Sequence, residues 1–257
     1  MTQTILNKLE ELERKYDVKI LYACESGSRA WGFNSKNSDY DVRFIYVHKL
    51  PWYLGVNENR DVIEEIEGDL DLSGWELRKS LKLLAKGNPP LLEWLNSPII
   101  YHQDPTFTLE LNLLADNCFS AKSAIYHYLN MAKRNYNQYI KDKSYVKLKK
   151  YLYVIRPLLS CMAIQDSKSM PPTAMDLSMD LLKPFTAYAE VLALVEAKKA
   201  GKELEQGPSN TILNDFIEES LFFFELYVMD IKGVKIDYKA LNRLLFSQVL
   251  EYTDETR

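Results

Sequence analysis

Asp39 and Asp41 lie one residue apart, shortly after a Gly27-Ser28 pair that closes an apolar run. Alternate residues of a strand point the same way, so a strand opening here puts Asp39, Asp41 and Arg43 on one side. Two carboxylates brought close repel each other unless a cation lies between them. Hard divalent cations such as Mg²⁺ take carboxylate oxygens together with substrate phosphates. A Gly-Ser turn at a helix start offers unpaired N–H groups to such phosphates. Both halves of a metal–nucleotide site thus fall within one strand-turn-strand unit.

Two-metal transfer clamps both the attacking and the leaving oxygen. Two aspartates can bridge the ions, and a third acid holds the one that activates the attacking hydroxyl. Asp69 and Asp71 are the candidates for that acid. Asp71, between Leu70 and Leu72, is costly to bury without a role and is favoured. Asp69 adjoins the Gly68 turn and remains the alternative. Alone, the Asp-x-Asp pair is ordinary turn material. The order Gly-Ser, Asp-x-Asp, later strand acid carries the specificity.

Several cations and aromatics surround this core pattern. Arg43 shares the aspartate face and either reaches a phosphate or pairs with Asp41. Arg29 is a phosphate ligand or a structural tie to an acid. Trp31 and Phe33 frame a base or, as is commoner, fill a core. Arg78 and Lys79 could reach a triphosphate, whereas Lys82 and Lys86 read as a solvated face. Further on, Lys147, Lys149, Lys150 and Arg156 interleave with Tyr145, Tyr151 and Tyr153. Such interleaving suits a phosphate backbone with stacked bases, and equally the wet side of amphipathic helices. Arg156 interrupts an apolar run, so its guanidinium requires a partner, a substrate phosphate or a carboxylate.

The elements that position these residues follow from hydrophobic periodicity. A helix is expected over 4–15, strands over 18–23, 41–47, 62–67 and 70–73, and a turn or short helix over 28–33. Residues 34–38 read as a turn and 51–59 as a loop. Helices are expected over 75–86, ended by Gly87-Asn88-Pro89, and over 90–95. Beyond about 116 strand signals vanish and helices are expected over 121–140, 145–164, 187–200, 211–229 and 239–250. Breaks fall at Pro171-Pro172, Gly201 and Gly207-Pro208. The fold class is therefore α+β: a mixed-sheet domain over 1–115 followed by an all-α bundle over 116–257, with the site in the cleft between them.

The chain has 257 residues, 47% hydrophobic and 26% charged, enough for a real core. Its net charge of −4 excludes the global basic field of many nucleic-acid binders, so RNA contact would use a local patch. Its 3 cysteines, Cys24, Cys118 and Cys161, are far apart with no metal spacing, which implies buried thiols in a reducing cytoplasm. The 3 histidines, His48, His102 and His127, are scattered and suggest no acid–base centre. No signal core or membrane-length apolar run is present.

The order Gly27-Ser28, Asp39-Tyr40-Asp41, Asp71 resembles the nucleotidyltransferase core of the DNA polymerase β superfamily. The fuller wording resembles one branch, the predicted nucleotidyltransferases associated with RNA repair. It comprises Gly27-Ser28-Arg29-Ala30-Trp31-Gly32-Phe33, Ser38-Asp39-Tyr40-Asp41-Val42-Arg43, Ser73-Gly74-Trp75-Glu76-Leu77-Arg78-Lys79 and Asn88-Pro89-Pro90-Leu91-Leu92-Glu93-Trp94-Leu95-Asn96-Ser97-Pro98. Lys150-Tyr151-Leu152-Tyr153, Arg156-Pro157-Leu158-Leu159 and Pro171-Pro172-Thr173 extend it to residues 20–175. Glu76 departs from the aspartate expected there but keeps a carboxylate. The resemblance implies that Gly27 and Ser28 hold the β and γ phosphates of a nucleoside triphosphate. Asp39 and Asp41 would bind two Mg²⁺ ions, with Mn²⁺ as a substitute. Asp71 would complete the catalytic ion site and help deprotonate an acceptor hydroxyl, RNA and possible tRNA ends being the acceptors the family suggests. A protein or small-molecule hydroxyl is the alternative acceptor, and a non-catalytic nucleotide or RNA sensor is the rival class. Arg29, Arg43, Lys150 and Arg156 complete the expected nucleotide-binding set.

Overall fold

The structure is a computed structural model that describes residues 1–35, 38–200 and 206–255. Along the first part of the chain run α1 (Thr2–Tyr16), β1 (Lys19–Glu25), α2 (Gly27–Ala30), β2 (Tyr40–Val47), α3 (Leu50–Leu54), β3 (Val62–Glu67) and β4 (Leu70–Glu76). Then come α4 (Leu77–Ala85), α5 (Pro89–Leu95), β5 (Ile100–Gln103) and α6 (Pro105–Cys118). The second part holds α7 (Ala121–Tyr139), β6 (Tyr145–Lys147), α8 (Lys149–Ser167), a 3-10 helix at Met175–Leu182, α9 (Ala187–Lys199), β7 (Gln206–Pro208) and α10 (Thr211–Tyr227). A short 3-10 turn, Val228–Asp230, precedes the last helix, α11 (Tyr238–Glu255).

The fold is α+β. Five strands form one mixed sheet in the order β3-β4-β2-β1-β5. β2 and β4 are parallel, with Tyr40 opposite Leu70 through to Tyr46 opposite Glu76. The other pairings are antiparallel. Apolar alternation explains the layering. Val42, Phe44 and Tyr46 join Ile5, Leu9 and Leu12 of α1 in one buried cluster. The opposite face of the central strands meets α4, α5, α6 and α11; there the Tyr22 hydroxyl donates to the Trp94 carbonyl at 2.7 Å.

The chain forms two compact units, and neither is contiguous. One comprises Met1–Ala30, Asp39–Cys118 and Lys235–Arg257; the other comprises Trp31–Ser38 and Phe119–Val234. The expected division at 115/116 thus differs in two exchanges. α11 packs with the sheet unit because Leu241, Leu244 and Val249 bury an apolar stripe, which meets α4 and α6. Trp31–Ser38 goes the other way because Phe33 is fully buried in the helical core and Trp31 packs against it.

Local differences have physical causes. Trp75 and Glu76 end β4 rather than open a helix, and α4 starts only at Leu77 because Glu76 caps it, its carboxylate accepting from the Lys79 N–H at 3.2 Å. The expected loop 51–59 opens with the short helix α3, which has a proline in its first turn. β5 and α6 occupy 100–118, where periodicity is blurred. In α6, Phe107, Leu111 and Ala115 are buried while Leu109 and Leu113 are exposed, so apolar residues cover both faces. In the second unit the run 145–164 opens with β6, which pairs antiparallel with β7. Each strand is three residues long, too short to show a period of two. The Gly201 break lies outside the described residues, as do Lys36 and Asn37 of the expected turn. No helix among the described residues is long and apolar enough to cross a membrane.

Two predictions follow from this packing. Gly74 lies opposite Phe44, and a Cβ there would fall 2.1 Å from the Phe44 ring. Gly74→Ala should therefore destabilise the protein by about 1–3 kcal/mol, read as a lower urea midpoint with an unchanged slope. His48 stacks on Trp52 at 4.4 Å, and burial pushes its imidazole from 6.5 down to about 4. The unfolded chain binds the extra proton first, so this residue's contribution is complete above pH 6.5 and is lost as pH falls toward about 4. His48→Gln should flatten the stability profile across that window in urea titrations at stepped pH.

Candidate active site

The register of the parallel pair β2/β4 sets Asp41 directly opposite Asp71. Both stand at the strand starts, where the sheet ends and solvent begins. Arg43, two residues along the same face, closes over the pair. Its Nη2 is 3.0 Å from Asp41 Oδ1 and 2.9 Å from Asp71 Oδ2. Its Nη1 donates to the main-chain oxygens of Val42 at 3.1 Å and Asp71 at 3.0 Å. The two alternatives for Arg43 thus resolve, within this structure, to carboxylate pairing. Burial pushes the Asp41 carboxyl above its ordinary value; Arg43 draws it down, and Asp71 and Asp39 push it up again. Such a cluster favours a bound cation.

The turn after β1 brings the chain against this carboxylate. The Ser26 N–H donates to the Asp41 carbonyl at 2.8 Å. Gly27 follows with φ +61°, and a Cβ there would fall 2.0 Å from Asp41 Oδ2. Only glycine allows both that backbone conformation and that approach. Ser28 and Arg29 continue into the four-residue α2. The Arg29 guanidinium lies 3.7 Å from the Tyr40 ring centroid, and its Nε donates to the Asp39 carbonyl at 3.1 Å. Arg29 is thus tied to the main chain of Asp39. The Asp39 side chain is exposed. Asp69 sits in the turn before β4, its carbonyl accepting from the Tyr40 N–H at 2.7 Å. Asp71, rather than Asp69, is the acid brought beside Asp41.

Sequence reasoning passed over Glu25. It is fully buried at 0% exposure, accepts from the Asp41 N–H at 2.8 Å and from the Tyr101 hydroxyl, and burial pushes its carboxyl up. The signal that singled out Asp71, an acid between two leucines of a strand, was weaker at Glu25, which follows the apolar run 18–24 but precedes Ser26-Gly27.

Lys150 and Arg156 lie in the other unit. Lys150 Nζ is 3.8 Å from the Tyr139 centroid and 5.2 Å from that of Tyr153. Tyr153 meets Trp31 edge-on at 6.1 Å, and the buried Arg156 guanidinium lies 4.2 Å from the Trp31 ring. The structure thus gathers Gly27, Ser28, Arg29, Asp39, Asp41, Arg43 and Asp71 in one unit, and Lys150, Arg156 and Trp31 in the other. Lys79 pairs with Asp61 at 2.9 Å, and Arg78 stacks on Tyr53 at 4.7 Å. Cys24, Cys118 and Cys161 are buried free thiols.

Among the described residues no group of three or more His, Cys, Asp or Glu side chains is gathered as a ready metal cage. The donor chemistry nevertheless fits a divalent cation. Asp41 and Asp71 turn oxygens toward one cationic nitrogen, and the Asp39 charge acts on Asp41 from the same strand approach.

The family model RlaP, described as RNA repair pathway DNA polymerase beta family, matches residues 1–247. A Bacillus subtilis (strain 168) protein, "Uncharacterized protein YcgL", is 45% identical over 254 residues, covering 98% of this chain and 97% of its own length. A solved nucleotidyltransferase-like protein from Exiguobacterium sibiricum 255-15 aligns over 96% of this chain and 90% of its own, at 11% identity and a TM-score of 0.33.

Gly27→Ala should cost about 1–3 kcal/mol, through the positive φ and the displaced Asp41 side chain. A denaturant titration checks this, and a melt indistinguishable from wild type would contradict the close approach.

Proposed function

Since the chain belongs to the RNA repair pathway DNA polymerase beta family, a family of nucleotidyltransferases, we propose that it moves a nucleoside monophosphate from a nucleoside triphosphate to an RNA hydroxyl, with a tRNA end as one such acceptor. The observation that carries this reading is the in-register pair Asp41 and Asp71 sharing the Arg43 guanidinium beneath the Gly27 turn.

Asp41, Asp71 and Asp39 are the residues that would hold Mg²⁺, or Mn²⁺ in its place. The metal, when bound, supplies charge neutralisation at the transferring phosphoryl group and a more acidic acceptor hydroxyl. The chain's own residues do the rest by positioning. Gly27 and Ser28 offer main-chain N–H groups to the triphosphate tail. Arg43 offsets the repulsion between Asp41 and Asp71 and sets the spacing of their oxygens. The Asp71 side chain is 41% exposed against 29% for Asp41, so Asp71 is the carboxylate open to an acceptor and takes its proton. The acceptor oxygen then forms a bond to the α-phosphorus as the bond to the bridging oxygen breaks, and pyrophosphate leaves with that electron pair. Arg29 completes the nucleotide-binding set within the sheet unit, and Lys150 and Arg156 are candidate nucleotide or acceptor contacts within the helical unit. Lys150 beside the Tyr139 and Tyr153 rings supports an RNA acceptor, because aromatic faces beside a cation suit single-stranded bases.

Label transfer from each α-³²P ribonucleoside triphosphate, with Mg²⁺ or Mn²⁺, into the RNA and protein fractions of a lysate tests the proposal. RNA should be labelled, and Asp41→Asn should lower the rate about 100-fold or more while keeping the wild-type fold. Label confined to protein would move the acceptor to a protein hydroxyl. Undiminished transfer by Asp41→Asn would overturn the mechanism.

A further inference from the structure

Glu25 and the segment that grips it take no part in the chemistry above, yet Glu25 is bonded to the Asp41 main chain. β1 and β2 stay paired as far as Glu25 opposite Val42. The chain then turns away at Ser26-Gly27. The Asp41 N–H is left where a further main-chain carbonyl of β1 would have met it. The Glu25 carboxylate fills that place, Oε1 accepting from the Asp41 N–H at 2.8 Å. The Asp41 carbonyl is taken by the Ser26 N–H at 2.8 Å. Both main-chain groups of Asp41 are therefore held by two consecutive residues.

Glu25 is itself anchored. Its Oε2 accepts from the Tyr101 hydroxyl. Its N–H donates to the Ile99 carbonyl at 2.9 Å, and its own carbonyl accepts from Ser97 Oγ at 2.6 Å. Ser97 is the next-to-last residue of the motif Asn88–Pro98, whose wording the transfer chemistry leaves without a role. Glu25 lies two residues beyond Ala23, on the α1 side of the sheet, and Tyr101 packs against that same cluster. The grip on Asp41 comes from behind the reacting face.

We infer that Glu25, anchored by Ser97, Ile99 and Tyr101, is a positioning residue that fixes the main chain from which Asp41 presents its carboxylate to the cation. This rests on the reading of Asp41 as a cation ligand. The role calls for an acceptor toward the Asp41 N–H and a hydrogen bond to Tyr101 rather than for a charge. Glutamine keeps both contacts, its carbonyl accepting from Asp41 and its amide donating to a reoriented Tyr101 hydroxyl. Alanine leaves a buried N–H without its acceptor. Outer partners of metal ligands act in this way, through orientation.

The test uses the full chain and reads no catalysis. Amide hydrogen exchange at Asp41 is followed by NMR, and Mn²⁺ affinity by calorimetry. Glu25→Ala should speed Asp41 exchange and weaken Mn²⁺ binding about tenfold each, while Glu25→Gln stays within about threefold of wild type. A folded Glu25→Ala with wild-type exchange and Mn²⁺ affinity overturns the inference, as does a Glu25→Gln that is as impaired as alanine. If Glu25→Ala does not fold, Tyr101→Phe, which removes one anchor, should raise the Mn²⁺ dissociation constant; a wild-type value overturns the inference. If wild-type protein binds no Mn²⁺, the reading of Asp41 as a ligand fails by itself, and exchange at Asp41 in the two Glu25 variants still decides the positioning role.

Discussion

Two carboxylates on adjacent parallel strands repel each other at close range, and the in-register contact of Asp41 with Asp71 persists because one guanidinium nitrogen serves both. The rest of the sheet unit is arranged so that this contact holds. A one-residue slip between β2 and β4 would turn Asp71 to the other face and bring a leucine beside Asp41. Gly74 opposite Phe44 helps fix the register, since only a residue without a side chain fits under that ring. The β3–β4 hairpin then secures β4 from its other edge.

The cost of the arrangement is borne near Asp41. Burial and two neighbouring carboxylates push its carboxyl up, and only Arg43 among the leading influences pulls it down. A cation of higher charge in the same place would relieve that balance further. The close Gly27 turn and the buried Glu25 restrict how the site can relax instead, one leaving no room for a side chain beside the Asp41 carboxylate and the other holding its main chain. Preorganisation here has one source: a strand start held from both its neighbours.

The motif Gly27–Phe33 changes partners midway. Gly27–Ala30 belongs to the sheet unit, whereas Trp31 and Phe33 enter the helical core, where the Met175 N–H donates to the Trp31 carbonyl at 2.9 Å. Trp31 also carries Arg156 on its ring and meets Tyr153 at its edge. Its aromatic type therefore answers to packing and to cation stacking together.

Much of this was legible in the residues. Periodicity located α1, the four leading strands and most of the long helices, because each buries a regular stripe. The Gly-Ser turn, the Asp-x-Asp pair and the acid between two leucines singled out candidate residues, because isolated acids in apolar strands are costly to bury. What escaped reading was whatever depended on a partner distant in sequence. α6 has apolar residues on both faces, β6 and β7 are too short to show a period, and α11 looks like any bundle helix until its stripe meets α4 and α6. The sequence by itself determined which residues could bind a cation and a phosphate, since that depends on chemical type and local spacing. Only the tertiary structure decided that Asp71 rather than Asp69 stands beside Asp41, that Arg43 joins them and that Glu25 holds Asp41 from behind. Strand register and the end of β1 make those choices, and both are settled by packing between segments far apart in the chain.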